Sequence, residues 1–372
     1  MRIGIDARMY GPEATSGIGV YIKNLTDQLF LIDQKNEYIL FMLEPAYSSF
    51  QPPSQRVKKI KVACPWYSFS EQLKLPPILL KYNLDLVHFP HFNVPIFYPK
   101  KFIVTIHDIT PKFFPGPRVK KSAIRKLGYE AVFRLGSKRA KKIISVSNHT
   151  KENLIKFFHL PSEKIAVIYP GLDPQFKIIN DDSAKQAIKN LYQITKPFIF
   201  YLGPWRDHKN LPSLIAAFNL LKAKGQFDYQ LVLGGKPDPN YPEIKRAIED
   251  SKFRSEIISP GYISDQDLPL FYNAAELFVL PSLAEGFGLV ALESLACGTP
   301  VVASKTTSLP EVLQEAAIYF DPKNPSAIAS AIYQVLTDSS LYDELKNRGL
   351  NQAKKYRWRT GAEKTLAIYQ SS

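Results

Sequence analysis

Cysteine and long apolar runs are scarce in this sequence. Its 372 residues include two cysteines, Cys64 and Cys297, which stand far apart and in no CxxC or Cys/His spacing. This argues against a disulfide framework and against a cysteine zinc site. No stretch approaches the roughly 18 unbroken apolar residues that a membrane-spanning helix needs. The N-terminus enters a strand-like segment without the features of a secretion signal, so we expect a cytoplasmic protein that spans no membrane.

Acidic residues are few relative to basic ones, and the imbalance lies in the first half. The chain has 48 lysines and arginines against 34 acids, and residues 1–175 hold 26 of the bases and 13 of the acids. Residues 118–142 contain ten basic side chains and a single acid, Glu130. Such a stretch is typical of contact with an anionic membrane surface, of nucleic-acid binding or of a solvated helix face. Because no nucleic-acid-binding motif accompanies it, we expect peripheral membrane contact or a solvated face, and no nucleic acid partner.

The length and the apolar pattern predict two α/β domains. A chain of 372 residues exceeds the usual size of one hydrophobic core. Short β-like runs alternate with longer helical ones in both halves, which favours doubly wound parallel sheets covered by helices. The predicted strands are residues 2–6, 38–43, 57–62, 85–89, 102–106, 143–146, 165–168, 198–202, 229–233, 257–259, 277–280, 300–303 and 317–320. Proline and glycine in 169–174 mark a seam, so we predict domains at 1–175 and 176–354 with a hinge near 172–182.

The most specific motif follows the predicted strand 277–280. A loop with Gly286 and Gly288 leads into a helix whose first N–H groups are free to bind an anion such as phosphate. Glu285 stands in the loop, and Glu293 lies among apolar helix residues, where a carboxylate is costly unless it is satisfied. The two acids are either structural, or they accept hydrogen bonds from the hydroxyls of a sugar and a ribose that flank a diphosphate.

A second charged loop, residues 203–210, follows the predicted strand 198–202. Arg206 and Lys209 are suited to grip a diphosphate at this carboxyl end of a strand, and Asn210 is a candidate N-cap for the next helix. Surface loops often carry basic side chains, so the motif acquires meaning only together with its neighbours.

The first half and one later segment hold weaker candidates. Residues 16–19 form a glycine-rich turn, which is either a simple tight turn or a place where backbone approaches a ligand. His107 follows an apolar strand at the edge where open α/β sheets bind ligands, although an isolated histidine is more often structural. The pair Asp265 and Asp267 matches an acid-x-acid metal pattern, but its position at a helix start favours a helix-dipole role, so we expect no metal site.

In this order the motifs resemble glycosyltransferase family 4, the retaining transferases of the GT-B fold. The resemblance spans nearly the whole chain, and its strongest part is the Glu-x7-Glu spacing of the two acids. It implies two Rossmann-like doubly wound parallel-sheet domains facing across a deep cleft, the N-terminal one for the acceptor and the C-terminal one for the nucleotide-sugar donor. It also implies that a last helix at about 355–372 packs back on the first domain. Many members carry an arginine directly after the loop glycine, where this chain has Pro204.

The resemblance implies a role for each matched residue. Glu293 would hold the ribose hydroxyls of the donor, and Glu285 the hydroxyls of the transferred sugar. Arg206 and Lys209 would neutralise the leaving diphosphate without a metal, and His107 would bond a sugar hydroxyl near the reacting carbon. The remaining donor-binding positions that it implies are Gly17, Gly19, Gly203, Tyr262, Gly286, Phe287, Gly288 and Leu289.

The resemblance thus implies a hexosyltransferase that needs no cofactor and takes a nucleotide-diphosphate sugar as its substrate. The motifs look most like mannosyltransferases that use GDP-mannose, with UDP-glucose, UDP-galactose and other hexose donors as alternatives. Together with the basic first half, this predicts a glycan or lipid-linked acceptor in surface polysaccharide or glycolipid assembly. Two other classes stay open: an inactive sugar-nucleotide-binding protein at the membrane surface, and a nicotinamide-dependent oxidoreductase, which should show a clearer dinucleotide fingerprint.

Overall fold

The computed structural model describes residues 1–11, 17–120, 122–225 and 227–372. These residues form two compact units, of which the first holds Met1–Gly171 with Arg357–Ser372 and the second holds Leu172–Tyr356. Three parts of the motifs above lie outside the described residues, namely Ser16 of the glycine turn, Lys121 of the basic stretch and the side chain of Arg118.

Seven parallel strands form the sheet of the first unit in the order β3-β2-β1-β4-β5-β6-β7. The strands are β1 (Arg2–Asp6), β2 (Glu37–Met42), β3 (Val57–Lys61), β4 (Leu86–Phe89), β5 (Phe102–Ile106), β6 (Ile143–Ser145) and β7 (Ile165–Val167). β4 and β5 are buried along their whole length, as expected for a parallel sheet with helices on both faces.

The helices of the first unit alternate with its strands. They are α1 (Gly17–Ile32), α2 (Ala46–Ser49), α3 (Phe69–Leu80), α4 (Thr110–Phe113), α5 (Pro117–Lys120), α6 (Ala123–Arg139), α7 (Asn148–Phe158) and, from the end of the chain, α16 (Trp358–Gln370). α16 packs against α1, where the rings of Tyr21 and Trp358 lie 5.6 Å apart edge to face. The hydroxyl of Tyr369 shares a buried hydrogen bond of 2.7 Å with Nδ1 of His88 in β4.

The second unit repeats the architecture with six parallel strands in the order β10-β9-β8-β11-β12-β13. The strands are β8 (Phe198–Leu202), β9 (Gln230–Gly234), β10 (Ile257–Gly261), β11 (Leu277–Leu280), β12 (Val301–Ser304) and β13 (Ala317–Phe320). The helices are α8 (Asp182–Leu191), α9 (Leu211–Lys222), α10 (Pro242–Glu249), α11 (Leu268–Ala274), α12 (Leu289–Ala296), α13 (Leu309–Leu313), α14 (Pro325–Thr337) and α15 (Ser339–Ala353). Every predicted strand of both halves is confirmed, with its ends shifted by no more than about two residues, as is usual for element boundaries.

The chain changes unit at positions close to those expected from the sequence. A Cβ on Gly171 would lie only 2.0 Å from the backbone nitrogen of Trp358, so these two segments of the first unit touch backbone to backbone. The next residues belong to the second unit, in which the amide of Leu172 donates to the carbonyl of Tyr356 at 3.1 Å. The seam therefore falls at 171/172 and 356/357, slightly before and after the predicted boundaries at 175 and 354. Of the helices that the structure describes, none combines the length and the apolar character needed to cross a bilayer.

Candidate active site

Two loops of the second unit flank the point where its strand order reverses. β8 pairs with β9 on one side and with β11 on the other, so the loops after β8 and β11 leave the sheet side by side. In open α/β sheets, ligands bind outside the carboxyl ends of the strands at such a switch point. The loops are residues 203–210 and 281–288, the same two loops that the sequence motifs single out.

The structure brings Lys209 and Glu285 together across these loops. Lys209 Nζ lies 2.6 Å from Glu285 Oε1, and the two side chains are only 13% and 12% exposed. The hydroxyl of Ser282 donates to the same carboxylate oxygen at 2.7 Å. Burial alone would raise the pKa of Glu285, but the Lys209 ammonium and the Ser282 hydroxyl hold that pKa below its ordinary value. Glu285 is therefore an ionised, paired carboxylate at neutral pH.

Backbone and amide hydrogen bonds fix the two loops against each other. The amide of Leu283 donates to the carbonyl of His208 at 2.7 Å. Asn210 is left-handed, with φ +58°, and its side-chain amide donates to the carbonyls of Pro281 and Pro322 at 3.1 and 2.7 Å. The N-cap prediction for Asn210 is thus right only in position: the residue precedes α9, but its side chain makes no capping hydrogen bond and instead bridges neighbouring loops.

Glycines at Gly203 and Gly288 allow close approaches that side chains would block. A Cβ on Gly203 would lie 2.6 Å from the hydroxyl of Tyr201. Gly288 is left-handed, with φ +92°, occupies the N-cap position of α12, and would place a Cβ 2.6 Å from Leu309 Cδ2. Gly286 and Phe287 are buried in the loop before it. The first N–H groups of α12, which begins at Leu289, have no carbonyl partner within the helix, as at any helix start.

Glu293 has an environment unlike that of Glu285. It lies in the second turn of α12 and accepts a hydrogen bond of 2.9 Å from the hydroxyl of Tyr272. Burial raises its pKa to about 7, and the negative charges of Asp173 and Asp265 add to the effect against the hydrogen bond from Tyr272. A carboxyl group with a pKa near neutrality and one hydroxyl partner keeps acceptor capacity for the hydroxyls of a ligand.

Arg206 and Tyr262 do not join the Lys209–Glu285 pair. Arg206 is exposed at the start of a 3₁₀ turn, Asp207–Lys209, and forms none of the ion pairs found among the described residues. Tyr262 is 58% exposed and follows β10, which β9 separates from β8. Asp267, from the acid-x-acid pair, stands at the N-cap position of α11 and accepts a hydrogen bond from Tyr192 at 3.2 Å.

Two buried polar atoms beside the Gly203 loop are features that the sequence reasoning missed. Among the described residues, the hydroxyl of Tyr201 and Nε1 of Trp205 have no hydrogen-bond partner. The place where a Cβ of Gly203 would stand is within 4 Å of both the Tyr201 hydroxyl and Lys209 Cε. An unpaired buried donor or acceptor costs about 1–3 kcal/mol, so its occurrence beside a candidate site suggests a ligand or water as the partner. The sequence does not predict these unpaired atoms, because Tyr201 lies in an apolar strand and Trp205 is an ordinary loop aromatic.

The predicted residues of the first unit lie at its own carboxyl edge. Gly17 begins α1, and the carbonyl of Gly19 accepts a hydrogen bond of 3.2 Å from the amide of Gly11. His107 follows β5, stands edge to face with Tyr21 at 4.7 Å, and hydrogen-bonds through Nε2 to the carbonyl of Pro90 at 2.9 Å. Burial lowers the pKa of His107, so the ring is neutral. The Pro90 carbonyl can only accept, which makes Nε2 the donor and leaves Nδ1 an acceptor.

A buried ion cluster at the end of β1 is a further group that the sequence did not suggest. The guanidinium of Arg8 is 2% exposed and lies 2.7 Å from the carboxylate of Asp6, with Glu71 as its second carboxylate partner. The carboxylate of Glu71 also accepts a hydrogen bond from Asn93 in the segment after β4. The cluster therefore joins the two segments that leave the switch point of the first sheet, between β1 and β4.

Comparison with known proteins identifies the family of this chain. The sequence model of Glycosyltransferase Family 4 matches residues 15–176, and that of Glycosyl transferases group 1 matches residues 182–352. O-antigen chain mannosyltransferase B of Escherichia coli is 31% identical over 297 residues, which cover 78% of this chain and 76% of that protein. The chain belongs to glycosyltransferase family 4 and is a glycosyltransferase.

Solved structures show the same fold. Sucrose-phosphate synthase from Thermosynechococcus elongatus matches with a TM-score of 0.79 and 20% identity, over 100% of this chain and 98% of that one. Anabaena HepE in complex with UDP-glucose matches with a TM-score of 0.79 and 16% identity, over the full length of both chains. The fold of this chain is GT-B, built from its two parallel-sheet units, as predicted.

Proposed function

We propose that this glycosyltransferase is a retaining, metal-independent hexosyltransferase that moves mannose from GDP-mannose to a glycan or lipid-linked acceptor in surface polysaccharide or glycolipid assembly. The observation that carries the proposal is the buried pair of Lys209 and Glu285 at the switch point, beside the start of α12. Mannose is supported by the relative named as an O-antigen mannosyltransferase. The site residues keep the roles that the resemblance implies, with Lys209 now the better placed of the two cations.

The proposed role of these residues is to stabilise the charges that develop as the sugar is transferred. As the sugar leaves, negative charge grows on the departing diphosphate while the sugar becomes oxocarbenium-like. Lys209 and the first amides of α12 would offset that charge, and fixed donors of this kind each contribute about 3–4 kcal/mol to a barrier. Glu285 would hold Lys209 in place and accept hydroxyls of the transferred sugar. Glu293 would accept the ribose hydroxyls, and retention would require the acceptor to enter on the face that the nucleotide leaves.

On the first unit, His107 would contribute as a neutral acceptor. Its Nε2 donates to the Pro90 carbonyl, so Nδ1 is the ring atom suited to accept a hydrogen bond from a sugar hydroxyl. Gly17 and Gly19 would serve by letting the backbone near α1 approach the phosphates or the acceptor.

Incubating the purified chain with a panel of sugar nucleotides tests the proposal. We expect slow donor hydrolysis, accelerated transfer with a mannose-containing acceptor, and a preference for GDP-mannose over UDP-glucose and UDP-galactose. A preference for a UDP-sugar would move the donor to the alternative that the UDP-glucose complex of HepE favours. Tight GDP or UDP binding without hydrolysis or transfer would instead identify an inactive binding protein.

We also propose that the basic stretch 118–142 contacts an anionic membrane surface on the cytoplasmic side. The first turns of α6 carry exposed apolar and basic side chains together: Ile124 and Leu127 are 75% and 70% exposed and flank exposed Arg125 and Lys126. A helix face of this composition is suited to the boundary of an anionic bilayer. Wild-type protein should float with phosphatidylglycerol vesicles at low salt, and a variant with Ile124→Gln and Leu127→Gln should not. Leu191→Gln, which alters a leucine 68% exposed on the second unit, is the matched control.

A further inference from the structure

A cavity of about 420 Å³ lies on the first unit and is lined by none of the residues assigned above to the donor or the reaction, although Gly11 at its wall donates to the carbonyl of Gly19. It opens between α1 and residues 46–53, beside the loop that follows β1. Its walls include Tyr10, Lys23, Asp27, Phe50 and Gln51. Because β2 and β4 lie on opposite sides of β1, the cavity stands on the β2 side of the first sheet's switch point. Its volume falls in the range of small-molecule sites, which is roughly 300–1,000 Å³.

The lining combines aromatic rings with a charge pair that cancels. Tyr10 and Phe50 meet edge to face with their centroids 5.4 Å apart. Lys23 Nζ lies 2.9 Å from Asp27 Oδ2, and Tyr10 lies near enough to this carboxylate for its charge to affect the Tyr10 hydroxyl. Burial and the charge of Asp27 raise the pKa of Tyr10, so its hydroxyl stays protonated and can donate. The polar groups at this wall carry no net charge as a set.

This chemistry suits a neutral polyhydroxylated ring. A carboxylate has about four acceptor positions, and Lys23 uses one of those of Asp27, so Asp27 can still accept hydrogen bonds from hydroxyls. Gln51 is exposed at the rim and offers an amide donor and an acceptor. Aromatic rings supply apolar area against the C–H face of a sugar. An uncharged ring is favoured over a phosphate group, because Asp27 offsets the charge of Lys23 at the described part of this wall.

We infer that this cavity is a subsite for an uncharged sugar unit of the acceptor, at a distance from the hydroxyl that receives the transferred hexose. The inference rests on the proposed function, in which the acceptor is a glycan. It requires that acceptors long enough to fill the cavity have a lower KM than a monosaccharide. Changing a side chain of residues 49–51 should leave donor hydrolysis unchanged, because these residues lie on the wall formed by 46–53, opposite α1 and the Gly11–Gly19 contact.

Direct binding is measured first, with mannobiose as the sugar probe and inorganic phosphate as the anionic probe, by saturation-transfer difference NMR. Ser49 lies at the cavity wall and is exposed, so Ser49→Trp fills the space without removing a core contact. We expect mannobiose signals with the wild type and weakened signals with Ser49→Trp. Any phosphate binding should be the same in the two proteins, because it does not involve the cavity. Absent mannobiose signals, signals equal in both proteins, or phosphate binding lost in Ser49→Trp would overturn the subsite.

Kinetics separate this inference from the proposed function. Gln51→Ala should raise the KM of a mannotriose acceptor about 3- to 10-fold, the loss of one or two hydrogen bonds, with donor hydrolysis unchanged. Gln55→Ala is the matched control, since Gln55 is exposed in the same segment and does not line the cavity. Equal KM values in the two variants, with transfer intact, would defeat the subsite and leave the proposed function standing. If Ser49→Trp weakens mannobiose binding but the wild type shows neither transfer nor hydrolysis, the subsite would stand and the proposed function would fail.

Discussion

Lys209 and Glu285, 76 positions apart in sequence, form a charge pair of 2.6 Å in which each side chain is nearly nine-tenths buried. The sequence motifs assign the lysine to a diphosphate and the glutamate to a sugar, but in this structure the two neutralise each other. A pair of this kind keeps a cation in place without leaving an uncompensated charge where both side chains are largely buried. Binding a diphosphate would then mean that Lys209 divides its three N–H donors between Glu285 and the ligand.

Replacing Lys209 should therefore affect both stability and transfer. In Lys209→Ala the buried carboxylate of Glu285 loses its cation, and we expect the free energy of unfolding to drop by about 2–3 kcal/mol. This is less than the roughly 3–5 kcal/mol of fully buried pairs, because this pair keeps some solvent contact. The kcat for transfer should fall about 100-fold. Urea unfolding and a GDP-release assay give the two quantities.

The double variant Lys209→Met with Glu285→Gln separates the two effects. It removes both charges, so most of the lost stability should return while transfer stays low. Recovery of transfer together with stability would contradict a direct role of either residue. Arg206→Ala is the comparison on the same loop: Arg206 is exposed, so its stability should change by no more than about 0.5 kcal/mol, and its loss of transfer should be smaller than that of Lys209→Ala.

The unpaired hydroxyl of Tyr201 supports a second prediction. Tyr201→Phe removes a buried polar atom that has no partner among the described residues, so the free energy of unfolding should stay equal or rise by about 1 kcal/mol. If the hydroxyl meets the donor or its bound water beside Lys209, kcat should fall about 10-fold in the same variant. Thermal unfolding and the transfer assay on one preparation measure both.

Tyr98→Phe is the matched control for Tyr201→Phe. The hydroxyl of Tyr98 is also buried without a partner among the described residues, but it lies in the first unit, between β4 and β5. We expect the same small gain or no change in stability and full transfer. Equal activity in the two variants would show that the Tyr201 hydroxyl is a packing feature alone.

The sequence predicts the architecture well because hydrophobic periodicity is local. All the strands of both sheets could be read from short apolar runs, and both loops at the switch point from glycines and charges beside strand ends. The association of Lys209 with Glu285 could not be predicted from the sequence, because it depends on β8 lying next to β11, which is a long-range property of the strand order. The same holds for Tyr201, which has the local pattern of an ordinary core residue of β8.

Side-chain direction is the other limit. Asn210 has the residue type and position of an N-cap, yet a left-handed backbone directs its amide to two carbonyls of other loops. Arg206 departs from the family pattern, in which an arginine often follows the loop glycine directly. Arg206 and Tyr262 are both exposed, unlike the paired residues, and their roles stay predictions. Neither backbone handedness nor exposure is encoded in the spacing of a motif.

The raised pKa of Glu293 predicts a dependence of stability on pH. Its value of about 7 exceeds the ordinary 4.5, so between these pH values the folded state keeps a proton that the unfolded chain has released. The contribution of Glu293 to the free energy of unfolding must then fall as pH rises through this window. Glu293→Gln resembles the protonated form, so it should match the wild type near pH 5 and be more stable than the wild type near pH 8.

Other groups titrate in this range, which is why the comparison between the two proteins matters. Burial lowers the pKa of His208 to about 4, so stability from His208 is present above its ordinary 6.5 and lost as pH falls toward 4, opposite in sign to Glu293. His208 is present in both proteins, and its effect cancels in the difference. Urea unfolding at pH 5 and at pH 8 measures how much more stable Glu293→Gln is than the wild type. If this stability difference is the same at both pH values, the pKa of Glu293 is not raised.

Nucleotide binding gives the functional counterpart at Glu293. A ribose hydroxyl donates best to the ionised carboxylate, so the affinity of the wild type for GDP should increase as pH rises through about 7. Glu293→Gln should bind GDP more weakly at pH 8 and show a smaller change with pH. Isothermal titration calorimetry at pH 6 and pH 8 provides the values, and a wild-type affinity that is flat with pH would place the ribose elsewhere.

Asn210 offers a test of how the two loops are held together. Asn210→Ala loses the hydrogen bonds to Pro281 and Pro322. It also places an alanine at φ +58°, a left-handed backbone conformation that alanine adopts less readily than asparagine or glycine. Asn210→Gly loses the same bonds but tolerates the left-handed backbone, so it should be about 1 kcal/mol more stable than Asn210→Ala. If the bonds serve to keep Lys209 near Glu285, both variants should lose transfer to a similar extent despite their different stabilities. Transfer that follows stability instead would mean that Asn210 supports the fold and does not position the charge pair.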